Sequence, residues 1–565
     1  MAVIVTLAAG VLAAGCGSPP ASGTVHQYSS PKAIARQALR ARVGMRAPRA
    51  RAASSGPVAP ITAPGGPYLR DGEGRVVMLH GVNATYKLAP YELYPDPGRP
   101  WNFSSADAAA IAGLGFDVVR LGILWEGLEP GHGGANQPGI CTQGRPGDPH
   151  MFDRAVADTY LARVARTVDL LARYGVYTIL DMHQDVYSGA FDGEGAPPWA
   201  VCTNGQPIAT ATGRWSRNYR DPTLKIATDH FWDNDVVGDL QGQFDLVWAT
   251  VARYFRHDPW VLGFDPYNEP FSSEHAPGDT LAFAVDLQCF YAGRARPGHL
   301  AGSSSRLHCP PTDPAVGVIG TIERADPGRL VLAEPDIYTS HHVPNLLGPM
   351  PYPNLVLNFH SYCRFRNPVT GEPTDNAACA AEVLTTMLTR ERERPLLSTP
   401  EQRGGPAWFL SEFGAAADDP AFIDQVTGYA DLLGLGWTYW SWKYYDDPTG
   451  SSQEALAAPD GRLAPAAAIL SRPYPEAVAG TPESVLFDPP TGHFEMTYAA
   501  DRRATAPTVI FVGGRLHYRR TGYCATVDGG RIVSAPGAAR LVVTDDPRAE
   551  TVSVGLSPGR CRALR

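Results

Sequence analysis

The sequence predicts an α/β chain: a (β/α)8 TIM barrel followed by a C-terminal all-β sandwich domain. Three observations carry this. Between about residues 75 and 445, eight short apolar runs of β type alternate with longer amphipathic stretches. The runs are continuously apolar rather than alternating, as in parallel strands covered on both faces, and a count of eight favours a closed barrel. After Pro473 the helical period gives way to short strands separated by Gly, Pro and Asp turns.

Composition bounds the rest. At 565 residues the chain suits two or three domains. Its 44% hydrophobic and 19% charged residues allow a large core and exclude a mostly disordered chain. Net charge of -9, from 48 basic and 57 acidic residues, gives no reason to expect nucleic acid as a partner. No apolar run reaches the roughly 18 residues of a spanning helix.

Residues 2–15 form an apolar stretch that ends at Cys16, with no Lys or Arg before it. That length suits a secretory h-region. Ala13-Ala14-Gly15-Cys16 resembles a bacterial lipobox, with Leu12 one place early. The expectation is secretion, or anchoring to the outer face of the bacterial cell membrane as a lipoprotein acylated at Cys16. Residues 17–69 lack Asp and Glu and carry seven basic residues from Lys32 to Arg51. They read as a disordered Ala/Pro/Arg-rich tether, or as a basic leash lying on anionic headgroups.

Cys141, Cys202, Cys289, Cys309, Cys363, Cys379, Cys524 and Cys561 remain once Cys16 is set aside. An even number without a CxxC spacing points to disulfides rather than zinc, and so to an oxidising compartment. Sequence leaves the pairing open; the expected scheme joins neighbours, 141–202, 289–309, 363–379 and 524–561.

The barrel strands are expected at 76–83, 117–124, 176–183, 261–269, 329–335, 354–360, 407–414 and 436–442, within a catalytic domain of residues 70–472. Helices are expected at 153–174, 240–257, 315–326, 378–394 and 420–434. The first of these has apolar spacing near 3.6 and stops at Gly175. Two long excursions, before the helix near 240 and over 270–315, carry Phe191, Trp199, Trp215, Trp232, Phe271 and Phe290. Loops of that length usually build a site. Residues 473–565 form the sandwich. No GxGxxG follows a strand and no Walker loop occurs, which argues against a bound nucleotide.

Polar residues at the C-terminal ends of barrel strands face the mouth. Here they are Arg120, His183, Asp185, Asn268, Glu269, His360, Tyr362, Glu412 and Trp440. Two glutamates each follow an apolar strand directly, Glu269 in Tyr-Asn-Glu-Pro and Glu412 in Leu-Ser-Glu-Phe-Gly. A pair of carboxyl groups opening into one mouth is what glycoside hydrolysis requires. The alternative for Arg120 is a structural ion pair with Glu126 or Glu129. For His183 it is a loop carbonyl, and for the aromatic residues simple loop packing. His341-His342 is not expected to bind metal, and Glu334-Pro335 reads as a fifth-strand support for the site.

On the Asn-Glu-Pro triplet, Arg120, His360-x-Tyr362, Ser-Glu412-Phe-Gly and the Trp440 strand, residues 75–470 resemble glycoside hydrolase family 5. The resemblance implies Glu269 as acid/base and Glu412 as nucleophile. Asn268 would hold the sugar 2-hydroxyl, Arg120 and Tyr362 would keep the nucleophile ionised, and Trp440 would be a sugar platform. The motif MHQD at 182–185, Lys87 and the segment SRPYPEAVAGTPESVLFDP are similar to the endoglycoceramidase branch. That likeness implies that Lys87, His183 and Asp185 bind the sugar beside the scissile bond.

The implied substrate is a glycosphingolipid presented at a micelle or membrane surface, cut with retention by a monomeric enzyme associated with membranes peripherally at most. Within that reading the aromatic loops would shape an apolar channel for ceramide. The alternatives are an enzyme accepting only a monosaccharide head, a cellulase-like glucanase, and a non-catalytic glycolipid-binding surface protein. No cofactor and no metal are expected.

Overall fold

The computed structural model describes residues 56–57, 59–131, 134–136, 141, 152–209, 215–234, 239–271, 279–293, 317–363, 374–414, 420–446, 449–450, 452–514, 516–559 and 561. Cys16, the rest of segment 1–16, residues 17–55 of the tether, and Cys309 lie outside them.

Eight parallel strands close into a barrel: β1 (His80–Ala84), β2 (Val118–Ile123), β3 (Tyr177–Met182), β4 (Val261–Asp265), β5 (Leu330–Ala333), β6 (Leu355–His360), β7 (Ala407–Phe413) and β8 (Gly436–Tyr439). Each pairs with its sequence neighbour, and β8 pairs back to β1 through Trp437 and His80. Each expected run contributes a barrel strand, the first only from His80 onward, as apolar β segments covered by helices do.

The expected helices are present as α3 (Arg154–Arg173), α5 (Leu240–Phe255), α7 (Gly317–Ala325), α8 (Asn376–Glu393) and α9 (Pro420–Leu432), with α1 (Ser105–Gly113) and α2 (Trp125–Leu128) before them. Asp153 caps α3 by accepting the amide of Ala155, and the chain turns out of the helix at Gly175, φ +76°. The long excursions are partly helical, with α4 (Pro222–Asp233) and α6 (Asp279–Ala292) inside them. Their rings are not a free surface. Phe191, Trp199, Trp232, Phe271 and Phe290 are all buried in the main core, and Trp232 packs against Tyr267, Phe283 and Phe290. The packing reading holds for these five, and Trp215, only partly buried, packs against Tyr219.

After α10 (Ala466–Leu470) come β9 (Tyr474–Val478), β10 (Gly480–Asp488), β11 (His493–Ala500), β12 (Thr508–Phe511), β13 (Tyr523–Asp528), β14 (Gly530–Ile532), β15 (Arg540–Asp545) and β16 (Thr551–Pro558). They form a sheet of β10, β11, β16 and β13, and a second sheet that also recruits Leu69–Arg70 and Val76–Val77. Val77 pairs with Ala477. The run expected as one barrel strand over 76–83 is therefore split: Val76 and Met78 belong to the sandwich core, while the barrel begins at His80. The reason is that a continuous apolar run carries no mark of which core it enters. The chain thus enters the sandwich before the barrel: Val76–Val77 lies on the catalytic side of a boundary at residue 70, and Leu69–Arg70 begins within the segment expected as a disordered tether, whose Ile61 and Ala63 are buried.

Three expected disulfides are formed, Cys141–Cys202, Cys363–Cys379 and Cys524–Cys561. Cys289 is also disulfide-bonded.

Candidate active site

Strand pleating makes residues two apart share a face. Val118, Ile179, Leu332, Val356 and Phe409 pack together as an apolar floor inside the barrel. Two residues further along the same strands stand Arg120, Asp181, Glu334, Asn358 and Ser411, all buried. The barrel thus changes from apolar to ionic over one pleat, at the end where the strands finish.

Arg120 is the hub. Nη2 donates to Asp181 Oδ1 at 2.9 Å, Asp265 Oδ2 at 2.8 Å, Asn268 Oδ1 at 2.8 Å and Glu334 Oε1 at 3.1 Å. Nη1 reaches Glu412 Oε2 at 3.3 Å and Asn83 Oδ1 at 3.2 Å. Burial alone would lower its pKa, but the surrounding carboxylates, Asp181 foremost, hold the guanidinium charged. The ion pair with Glu126 or Glu129 is not made: Glu129 accepts from the Trp125 indole instead, and Glu126 bonds Tyr91.

Glu412 ends β7. Tyr362 Oη donates to its Oε1 at 2.6 Å, while Arg120 holds its Oε2. Burial raises the Glu412 pKa above its ordinary value, and the His360 charge opposes that. Gly414 allows the surrounding closure. A Cβ there would lie 2.9 Å from the Trp440 carbonyl and 3.3 Å from the Tyr362 ring.

Glu269 follows β4 in left-handed backbone, φ +45°, an uncommon conformation for a residue with a Cβ. Its amide donates to Glu334 Oε2 at 2.7 Å. The side chain of Gln184 donates to the carbonyls of Asn268 and Glu269 at 2.9 and 3.1 Å. His360 stands between the two glutamates. Its Nδ1 is 2.8 Å from Glu269 Oε1 and 3.8 Å from Glu412 Oε1, and its Nε2 is 2.8 Å from Glu334 Oε1. Burial disfavours a charged ring, yet Glu334 and Glu412 raise the His360 pKa well above its ordinary value. One oxygen of Glu269, one of Glu412 and a nitrogen of His360 lie within 4.8 Å of one another.

A second cluster adjoins the first through Asp181, whose Oδ1 accepts from Arg120 while Oδ2 is 2.7 Å from His183 Nδ1. Lys87 Nζ reaches Asp185 Oδ2 at 2.5 Å, Thr449 Oγ1 at 2.8 Å and Glu194 Oε1 at 3.1 Å. Lys87 also lies 4.7 Å over the Trp440 ring, and His183 stacks on that ring at 5.2 Å.

All the residues expected at the mouth are thus brought into two joined networks: Glu269, Glu412, Arg120, Asn268, His360 and Tyr362 in one, Lys87, His183, Asp185 and Trp440 in the other. Trp442 does not share the orientation of Trp440. β8 ends at Tyr439, the Trp440–Ser441 peptide is cis, and the Trp442 indole donates to Asp107 of α1 at 3.1 Å. Alternation applies only within a strand. His341 Nδ1 is 3.1 Å from the Tyr362 carbonyl.

Sequence reading missed Asn83, Asp181, Asp265, Asn358, Gln184, Glu194 and Thr449. The inward position two residues from a strand's apolar floor would have flagged Asp181, Asp265 and Asn358. Nothing local marks Glu194 or Thr449.

Among the described residues, two groups offer three metal-ligand atoms close together, His183/Asp185/Glu194 and Glu269/His360/Glu412. Each already holds a fixed cation, Lys87 in the first and Arg120 beside a charged His360 in the second. In each, that fixed cation already supplies the positive charge that a divalent ion would bring. Two carboxyl groups with oxygens within 4.8 Å of each other suit a reaction that needs one as nucleophile and one as proton donor.

Residues 83–446 match the family described as Cellulase (glycosyl hydrolase family 5), and residues 472–555 match the Glycoside hydrolase family 5 C-terminal domain. Endoglycoceramidase I of Rhodococcus hoagii is 28% identical over 87% of this chain and 87% of its own length. Endoglycoceramidase of Cyanea nozakii is 27% identical over 81% and 85%. The solved structure of endo-glycoceramidase II from Rhodococcus sp., in its five-membered iminocyclitol complex, superposes with a TM-score of 0.65 at 25% identity. It covers 87% of this chain and 100% of that one.

Proposed function

The chain belongs to glycoside hydrolase family 5, and from that premise we propose that it hydrolyses the bond between glycan and ceramide in glycosphingolipids, with retention. The observation that carries the reaction class is the 4.8 Å grouping of Glu269, His360 and Glu412 oxygen and nitrogen atoms. Retaining enzymes hold their carboxyl groups about 5–5.5 Å apart, whereas inverting ones need about 6.5–9.5 Å for a water. What supports the substrate class is the likeness to endoglycoceramidases across most of both chains.

The residues divide the work as follows. Glu412, kept anionic by Arg120 and the Tyr362 hydroxyl, attacks the anomeric carbon. Glu269 gives its proton to the glycosidic oxygen, so ceramide leaves as the neutral alcohol. The glycosyl ester on Glu412 is then cleaved by a water whose proton passes to Glu269, restoring both groups. Asn268, fixed by Arg120 and by its own bond to the Gln184 carbonyl, faces the sugar 2-hydroxyl. Lys87, His183, Asp185 and Trp440 line the position of the sugar next to the scissile bond.

The same reading extends to location. A monomeric enzyme exported from the cytoplasm, free or acylated at Cys16, would meet its substrate at a lipid surface, and three disulfides support an oxidising compartment. Residence at that surface raises effective substrate concentration.

The test is mass spectrometry of products from ganglioside, lactosylceramide, glucosylceramide and galactosylceramide in detergent, with Glu412→Ala as control. Intact oligosaccharide with free ceramide is the expected result. Release of monosaccharide alone from the simplest lipids would move the substrate to single-sugar heads. No cleavage of any lipid would remove ceramide as the aglycone.

A further inference from the structure

Lys87 has three N–H groups, and three protein oxygens stand within 3.1 Å of its Nζ, from Asp185, Thr449 and Glu194. It is almost fully buried, 2% exposed. An ammonium so occupied is poorly placed to bind a sugar hydroxyl as well. Its neighbours differ. Asp185 is 6% exposed, and His183 Nε2, buried, stands 3.8 Å from Asp185 Oδ2, too far for a hydrogen bond, and makes none with any described residue. Asp181 holds the other ring nitrogen, and keeps the His183 pKa up at about 9 against the burial that would lower it. His183 therefore carries an unmet donor where an unmet buried donor is costly.

Behind Asp185 lies Glu194. The two exchange backbone hydrogen bonds at 3.1 and 2.9 Å, and the Thr449 hydroxyl lies 3.0 Å from both Glu194 carboxyl oxygens. Burial raises the Glu194 pKa well above its ordinary value, while the Lys87 charge holds that of Asp185 down against its own burial.

We propose that Glu194 and Thr449 are positioning residues that, through Lys87, lock Asp185 and His183 toward one hydroxyl of the sugar next to the scissile bond. Lys87 acts within this lock and does not itself bind the sugar. The inference rests on the glycosidase reading of the same mouth. It assigns the hydroxyl contact to an acceptor, Asp185, and a donor, His183 Nε2, side by side.

The test is a kinetic comparison of an activated aryl β-lactoside with analogues deoxygenated at C3 or C6 of the inner glucose. If the wild type takes only single-sugar heads, the corresponding aryl β-glucosides present the same glucose. Wild type, Glu194→Gln, Thr449→Val, Lys87→Met and Asp185→Asn are compared. Each variant is expected to lose about 10- to 100-fold in kcat/KM on the parent, the worth of one charge-assisted hydrogen bond. The loss is expected to vanish for all four on the same deoxy analogue. Equal losses on every analogue would reduce Glu194 and Thr449 to general structural support and overturn the proposal. Loss of the Lys87→Met effect on a different analogue from Asp185→Asn would show that Lys87 binds a hydroxyl of its own, and would also overturn it. Fluorosugar labelling at Glu412 in each variant confirms a folded mouth, and Thr449→Val carries the comparison if Glu194→Gln fails to fold.

Discussion

The backbone N–H of Glu269 donates to Oε2 of Glu334 at 2.7 Å, so one glutamate aims another. Glu334 also meets Arg120, Asn358 and His360, and directly follows β5. It holds Glu269 in its left-handed backbone while His360 orients its carboxyl.

Glu334→Ala is expected to lower kcat about 100-fold, the effect of a displacement near 1 Å at a reacting group. Steady-state kinetics on an activated aryl glycoside, beside a thermal melt, checks this. A melting loss with unchanged kcat would reduce Glu334 to packing.

Glu412→Ala is expected to remove at least about 10⁴-fold of turnover, since it removes the carboxylate that forms the ester. Glu269→Ala is expected to spare the first step for a good leaving group and slow the second. Stopped-flow measurement should then show a burst of about one equivalent followed by slow release. Absence of a burst would contradict the acid/base role.

The pH profile has a definite sign. Glu412 acts as the anion, and burial raises its pKa above 4.5. The acid limb of kcat/KM is therefore expected above that value, activity falling as pH drops through it. Tyr362→Phe removes the 2.6 Å donor that favours the anion, so the limb moves to still higher pH. A limb that stays in place would separate Tyr362 from the ionisation of Glu412.

The sandwich is part of the barrel's structure. The Tyr474 hydroxyl donates to the Gly115 carbonyl at 2.8 Å, and the Tyr474 ring stacks on His80 at 3.8 Å. At Gly115, φ +88°, a Cβ would lie 2.3 Å from the Phe511 ring. Gly115→Ala is expected to lower Tm markedly while the folded fraction keeps its kcat, checked by melting and active-site titration. An unchanged Tm would mean the two cores meet loosely.

Much of this was legible in the sequence. Glu269 and Glu412 announce themselves because a carboxylate directly after a buried apolar run has no solubility role. The barrel follows from eight such runs. What stayed hidden has physical causes. Asp181 and Asp265 sit inside strands whose outward residues are apolar, so a run average conceals them. Val76 and Met78 enter the sandwich rather than the barrel, because hydrophobicity does not encode which of two cores a residue joins. Glu194 and Thr449 are about 250 residues apart, and only the folded chain brings them beside Lys87.

The most direct test of the central claim is peptide mapping by mass spectrometry after incubation with a 2-deoxy-2-fluoro β-glycoside bearing an activated leaving group. A single glycosyl adduct on Glu412, absent in Glu412→Ala, is the expected result. An adduct on another residue, or no adduct under conditions of turnover, would contradict a retaining mechanism built on Glu269 and Glu412.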